Sequence, residues 1–110
     1  KITFASEAGE DMKKENIISF VNKINPSLFL TFENNKTKTV DYFKGKHSVS
    51  NIGKKLAEEI GAKLNFDIVG KNNILLKNTK SVSLVINGNF YQIDINTVFD
   101  LVSEVYSEIF

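Results

Sequence analysis

The chain reads as an α/β domain, a layered sandwich with a central mixed sheet of about five strands and three helices. Two patterns predict it. Strand-like apolar runs alternate along the chain with segments whose apolar residues recur every three to four positions. The run Leu28-Phe29-Leu30-Thr31-Phe32 is almost continuously apolar, as expected of a strand buried on both faces.

The elements follow in order. Lys1 to Phe4 alternates polar and apolar and predicts a short strand. Ala5 to Gly9 is a small-residue loop, and Glu10 and Asp11 suit the positive end of a helix dipole. Ile17, Phe20, Val21 and Ile24 share one helix face, and Asn25-Pro26 stops that helix because the residue before proline is pushed out of α geometry. After the Leu28–Phe32 strand comes a turn, Glu33 to Lys36, and a second strand, Thr37 to Phe43. Ser48 or Ser50 caps a helix whose buried stripe is Ile52, Leu56, Ile60 and Leu64. Gly53, Ala57 and Gly61 on that helix are small enough for close packing on a sheet. Phe66 to Val69 and Ile74 to Leu76 are short strand candidates, and Ser81 to Ile86 is a further strand. Asn87-Gly88 is a tight-turn signal that returns Phe90 to Ile95 as a hairpin strand. Val98, Phe99, Val102, Val105, Tyr106 and Ile109 line the last helix.

Bulk properties narrow the function. A length of 110 residues fits a single domain, 1–110. Net charge is +1, and every basic residue other than His47 is a lysine scattered along the chain. Nucleic-acid binding needs a basic stripe and favours the bidentate guanidinium, so no nucleic acid is expected. No run approaches the roughly 20 apolar residues of a membrane span. Without cysteine there is no disulfide, thiolate nucleophile or thiolate metal ligand. The chain opens on Lys1 without a methionine, which reads as an excised domain or processed product.

A search for chemistry returns few groups. His47 is the sole histidine, set in the polar loop Lys44 to Ser48, and a lone imidazole makes neither a zinc site nor a partnered base. Gly53, Gly61 and Gly70 do not compose a phosphate loop, and Ser48 and Ser50 lack a nucleophile-elbow setting. Glu33, after a buried strand, and Asp41, in the next strand, are carboxylates that could share a cation or a proton. Read alone, they are a turn residue and a solvent-facing strand residue. Tyr42, Phe43, Phe90 and Tyr91 are candidates for stacking on sugar or peptide.

Segment order carries a family resemblance. Lys13 to Asn22, followed by Pro26-Ser27-Leu28-Phe29-Leu30-Thr31-Phe32-Glu33-Asn34-Asn35, is similar to "R…AN…ADLFISIHAN" of the zinc-dependent N-acetylmuramoyl-L-alanine amidases of the Amidase_3 type. Thr39 to Phe43 resembles that family's "G-E-x-Y-Y" strand, and Ser50 to Leu64 its "S..LA..I...L" helix. Ile68 to Thr79 resembles "rGVK…L.VLR.T", and Ser83 to Gly88 resembles "VLVE.GF". The resemblance implies a truncated amidase fold without the zinc machine. Its zinc histidine falls on Glu33 and its catalytic glutamate on Ile86, and the strand and helix with the other zinc ligands have no counterpart. The implied protein is a noncatalytic bacterial cell-envelope or extracellular domain, with no catalytic residue, metal or cofactor. It would bind peptidoglycan or a protein partner through a groove of Glu33, Asn34, Asn35, Asp41, Tyr42 and Asn87. Two other readings stand beside it. One is an α+β interaction domain using the 82–95 hairpin edge to pair with a partner strand. The other is a fragment of an active cell-wall amidase.

Overall fold

In the computed structural model, described for residues 2–6, 14–78 and 81–109, five strands form one mixed sheet in the order β1-β2-β5-β3-β4. Strand β1 is Ile2–Ser6, β2 Leu28–Asn34, β3 Thr39–Phe43, β4 Asp67–Lys71 and β5 Val82–Gly88. The helices are α1 (Lys14–Ile24), α2 (Asn51–Leu64), α3 (Ile74–Asn78) and α4 (Ile95–Ile109). β1, β2 and β5 run parallel, β3 is antiparallel to β5, and β4 is parallel to β3. The α/β class and the mixed sheet agree with the sequence pattern. The helices number four rather than three, because Ile74–Asn78 is a short helix and not a strand. Its backbone is turned by Asn73, whose Oδ1 accepts from the Leu76 N–H at 2.9 Å.

Chain direction decides which helix covers which face. The units β1-α1-β2 and β3-α2-β4 both step the same way across the sheet, but with opposite strand direction. Right-handed crossovers then place α1 and α2 on opposite faces. The α2 and α4 face holds the main core: Leu28, Leu30 and Phe32 of β2, Val40 and Tyr42 of β3, and Leu84 and Ile86 of β5 pack with Leu56, Ile60, Val98, Val102 and Val105. On the other face, Ile18, Val21 and Leu76 of α1 and α3 are buried together with Phe29 and Val85. Leu28 to Phe32 is buried on both faces, as its unbroken apolar character requires.

Helix ends follow their local chemistry. Asn25 takes φ 52°, its N–H donates to Val21 O at 2.7 Å, and Pro26 blocks continuation. The Ser50 Oγ caps α2 by accepting from the Gly53 N–H at 3.1 Å. Asn65 closes that helix at φ 60°. The Glu10–Asp11 reading lies outside the described residues. Two stripe assignments shift: Phe20 and Ile52 face outward, and Ile18 and Ala57 take the buried places.

The 82–95 hairpin does not form. β5 runs straight through Asn87-Gly88, and residues 89–94 make a turn that leads into α4. β5 also lies inside the sheet, flanked by β2 and β3, so it offers no free edge to a partner strand. The two-residue turn rule failed because the parallel β2–β5 pairing, not a local hairpin, satisfies this backbone.

At Gly61 a Cβ would stand 2.9 Å from the Phe66 carbonyl oxygen and 2.9 Å from the Ile68 side chain. The neighbouring backbone cannot yield cheaply, so Gly61→Ala is expected to lower stability by about 1–3 kcal/mol in urea unfolding.

Candidate functional site

At the C-terminal ends of β2 and β5, pleat and register select which side chains meet. Glu33 pairs with Asn87, and Asn87 pairs on its other side with Thr39, so the three lie in one row across β2, β5 and β3. One pleat further in, Thr31, Val85 and Asp41 form the next row on the same face. β3 is antiparallel, and its first residues therefore reach the same end of the sheet as the last residues of β5.

A hydrogen-bond network fills this corner. Asn87 Nδ2 donates to Asp41 Oδ2 at 2.8 Å and to Thr39 Oγ1 at 3.0 Å. Asn35 Nδ2 donates to Asn87 Oδ1 at 2.7 Å. The Asn35 Oδ1 in turn accepts from the Thr37 N–H at 2.9 Å and from the Thr37 hydroxyl. The Lys71 ammonium lies 3.2 Å from Asp41 Oδ2. Asp41 is only 1% exposed, so a charge at this depth needs such partners. Its other oxygen, Oδ1, and the Thr31 hydroxyl are buried with no hydrogen-bond partner among the described residues.

The six groove residues divide. Asn35, Asp41 and Asn87 are brought into one network, and Glu33 lies on the same face beside Asn87. Asn34 is spent on architecture through its Oδ1, which accepts from the Phe90 N–H at 2.9 Å. Tyr42 does not join. Its place in β3 has the opposite parity to Asp41, and it packs in the core against α2. Asp41 is a buried charge rather than a solvent-facing residue, and Glu33 belongs to β2 rather than to a turn.

Register also places Ile86. It is fully buried on the α2 and α4 face, whereas Asn87 is the β5 residue on the face of Glu33. Neighbouring residues of a strand face opposite sides, so Ile86 and Glu33 do not share a site.

The sequence did not single out Lys36 and Asn89. With Asn34, Asn35 and Tyr91 they line a cavity of about 220 Å³ at this end of the sheet. Tyr91 is 89% exposed. The turn places it there: the Asn89 Oδ1 accepts from the Tyr91 N–H at 3.2 Å, and Phe90 is drawn inward onto Phe32 in an edge-to-face contact at 5.4 Å.

Zinc, the metal of the family that the chain resembles, needs three or four protein ligands. Here the described carboxylates are Glu33, the exposed Asp67 beside Thr39 at the sheet edge, and an Asp41 already held by an amide and an ammonium. His47 follows β3 and so lies at the opposite end of the sheet. No cluster of three or more His, Cys, Asp or Glu side chains suited to a metal occurs among the described residues. The described residues do not fit the ion.

The fold is a shortened version of the amidase fold. The chain is similar to an N-acetylmuramoyl-L-alanine amidase from Clostridium difficile 630, with a TM-score of 0.61 at 14% identity over 86% of this chain and 61% of that one. It is similar to the catalytic domain of the amidase CwlV from Bacillus (Paenibacillus) polymyxa var. colistinus, with a TM-score of 0.57 at 11% identity over 87% of this chain and 60% of that one. It is similar to the amidase AmiC2 of Nostoc punctiforme, with a TM-score of 0.56 at 12% identity over 88% of this chain and 63% of that one. The chain thus spans about three-fifths of the length of these structures. No protein-family model and no curated protein matches it.

Removing the central amide tests the network. Asn87→Ala leaves Asp41 with Lys71 alone and frees the Asn35 amide, and a loss of about 1–3 kcal/mol is expected in chemical denaturation.

Proposed function

We propose that this chain is a noncatalytic amidase-like domain of a bacterial cell-envelope or extracellular protein, and that it binds peptidoglycan at the C-terminal end of β2 and β5. The observation that carries this reading is the amide-lined cavity beside the outward-facing Tyr91. A sugar ring presents C–H groups to an aromatic face and acetamido and hydroxyl groups to amide donors and acceptors, and this end of the sheet offers both. The solved structures of similar fold are N-acetylmuramoyl-L-alanine amidases by name, which supports an N-acetylmuramoyl-bearing ligand for the shared architecture. The noncatalytic part rests on chemistry. Asn87, the β5 residue beside Glu33, carries an amide that cannot take a proton as a base, and its Nδ2 is already committed to Asp41 and Thr39.

Co-sedimentation with purified peptidoglycan, with and without zinc, tests the reading. The protein is expected to pellet with the polymer and to release no soluble fragments in either condition. Tyr91→Ala is expected to weaken binding about tenfold, the effect of losing one stacking anchor. Failure to pellet would direct the site to a protein partner instead. Zinc-dependent solubilisation would restore the reading as part of an active amidase.

A further inference from the structure

The opposite end of the sheet carries a second constellation, independent of the groove. There the loop between β3 and α2, the loop between β4 and α3, and α3 itself converge. Lys46, His47, Ser48, Asn72 and Lys77 line a cavity of about 220 Å³ against the ring of Phe43. A neighbouring cavity of about 220 Å³ shares Phe43 and Lys77 and adds the hydroxyls of Ser50, Ser81 and Ser83.

Three observations give these cavities one electrostatic character. Among the described residues no carboxylate lines either of them. Among the described residues neither Lys46 nor Lys77 has an ion-pair partner, while Lys71, the residue before Asn72, is spent on Asp41. The Ser81 hydroxyl oxygen is buried and has no hydrogen-bond partner among the described residues. Backbone donors of the loop are also left over among the described residues. Gly45 N–H closes it on Ser48 O at 2.8 Å, and no described group accepts from the N–H groups of Lys46, His47 or Ser48. With a whole-chain charge of only +1, this is a local feature and not a consequence of a basic protein.

We propose that the Gly45–Ser48 loop, Asn72 and Lys77 form a binding site for a phosphoryl group. A tetrahedral phosphate offers several acceptor oxygens in different directions. It can take two ammonium groups, backbone N–H groups and a hydroxyl together, whereas a flat carboxylate reaches fewer of them. The site lies at the surface beside the part-buried Phe43 ring, so its affinity rests on the number of donors that converge rather than on exclusion of water.

The test is a titration followed by two-dimensional amide NMR at constant ionic strength, with inorganic phosphate, dimethyl phosphate and acetate as separate probes. Phosphate is expected to give saturable shifts at Gly45 to Ser48, Asn72 and Lys77 while Asn34 and Tyr91 stay still. Preference for inorganic phosphate over dimethyl phosphate would assign the site to a terminal phosphomonoester, and equal response to an internal phosphodiester. Lys46 and Lys77 are exposed, so Lys46→Ala with Lys77→Ala leaves the fold intact and should weaken phosphate binding by about tenfold for each charge removed. Shifts that do not saturate, undiminished affinity in the double variant, or acetate binding as tightly as phosphate would each overturn the proposal.

Discussion

The parallel pairing of β2 with β5 at the middle of the sheet is the constraint from which the rest follows. Both strands are buried on both faces, so neither can slide or turn over without exposing apolar side chains. Seven residues of each strand pair in register, from Leu28 beside Val82 to Asn34 beside Gly88. With that register set, Glu33 must stand next to Asn87. The antiparallel β3 then brings Thr39 and Asp41 to the same corner. The composition of the site is a consequence of the pleat, not of any local motif.

Burial makes the corner a closed polar unit. Asp41 sits almost out of contact with water, and its charge is tolerable because Lys71 and the Asn87 amide share one oxygen. Asn87 is the hinge of the arrangement: its donors hold β3, and its acceptor holds the Asn35 turn. A site built this way is shaped to hold its own strands together. What it shows to the outside is the rim of Asn34, Asn35, Lys36, Asn89 and Tyr91, the surface on which the proposed binding rests. The lysine-lined cavities lie at the other end of the same strands, so the two proposed sites do not compete for space.

Much of the fold was legible in the sequence because burial writes directly into composition. The unbroken apolar run of β2, the heptad-like spacing of Val98, Val102 and Val105, and the Asn25-Pro26 stop each name their own structure. Where the reading failed, a distant partner had overruled a local signal. Asn87-Gly88 has the chemistry of a tight turn, yet two neighbouring strands claim its backbone. Ile74 to Leu76 is apolar enough for a strand, but Asn73 caps it as a helix turn. Asn35, Asp41 and Asn87, named as groove residues from sequence, share one hydrogen-bond network, while Tyr42 was not separable from them because facing cannot be read without register. Tyr91 was weighed only as one of several aromatics, since its exposure depends on Phe90 turning inward onto Phe32.

The central claim is that Asn87, and not Ile86, shares a face with Glu33 and Asp41. Nuclear Overhauser contacts of the two side chains measure this directly. The account predicts that the Asn87 side-chain amide protons lie close to Thr39 and Asp41, and that the Ile86 methyl groups lie among the aliphatic side chains of α2 and α4. Contacts from the Ile86 methyls to Glu33 or Asp41, with the Asn87 amide found in the α2 and α4 core, would contradict it.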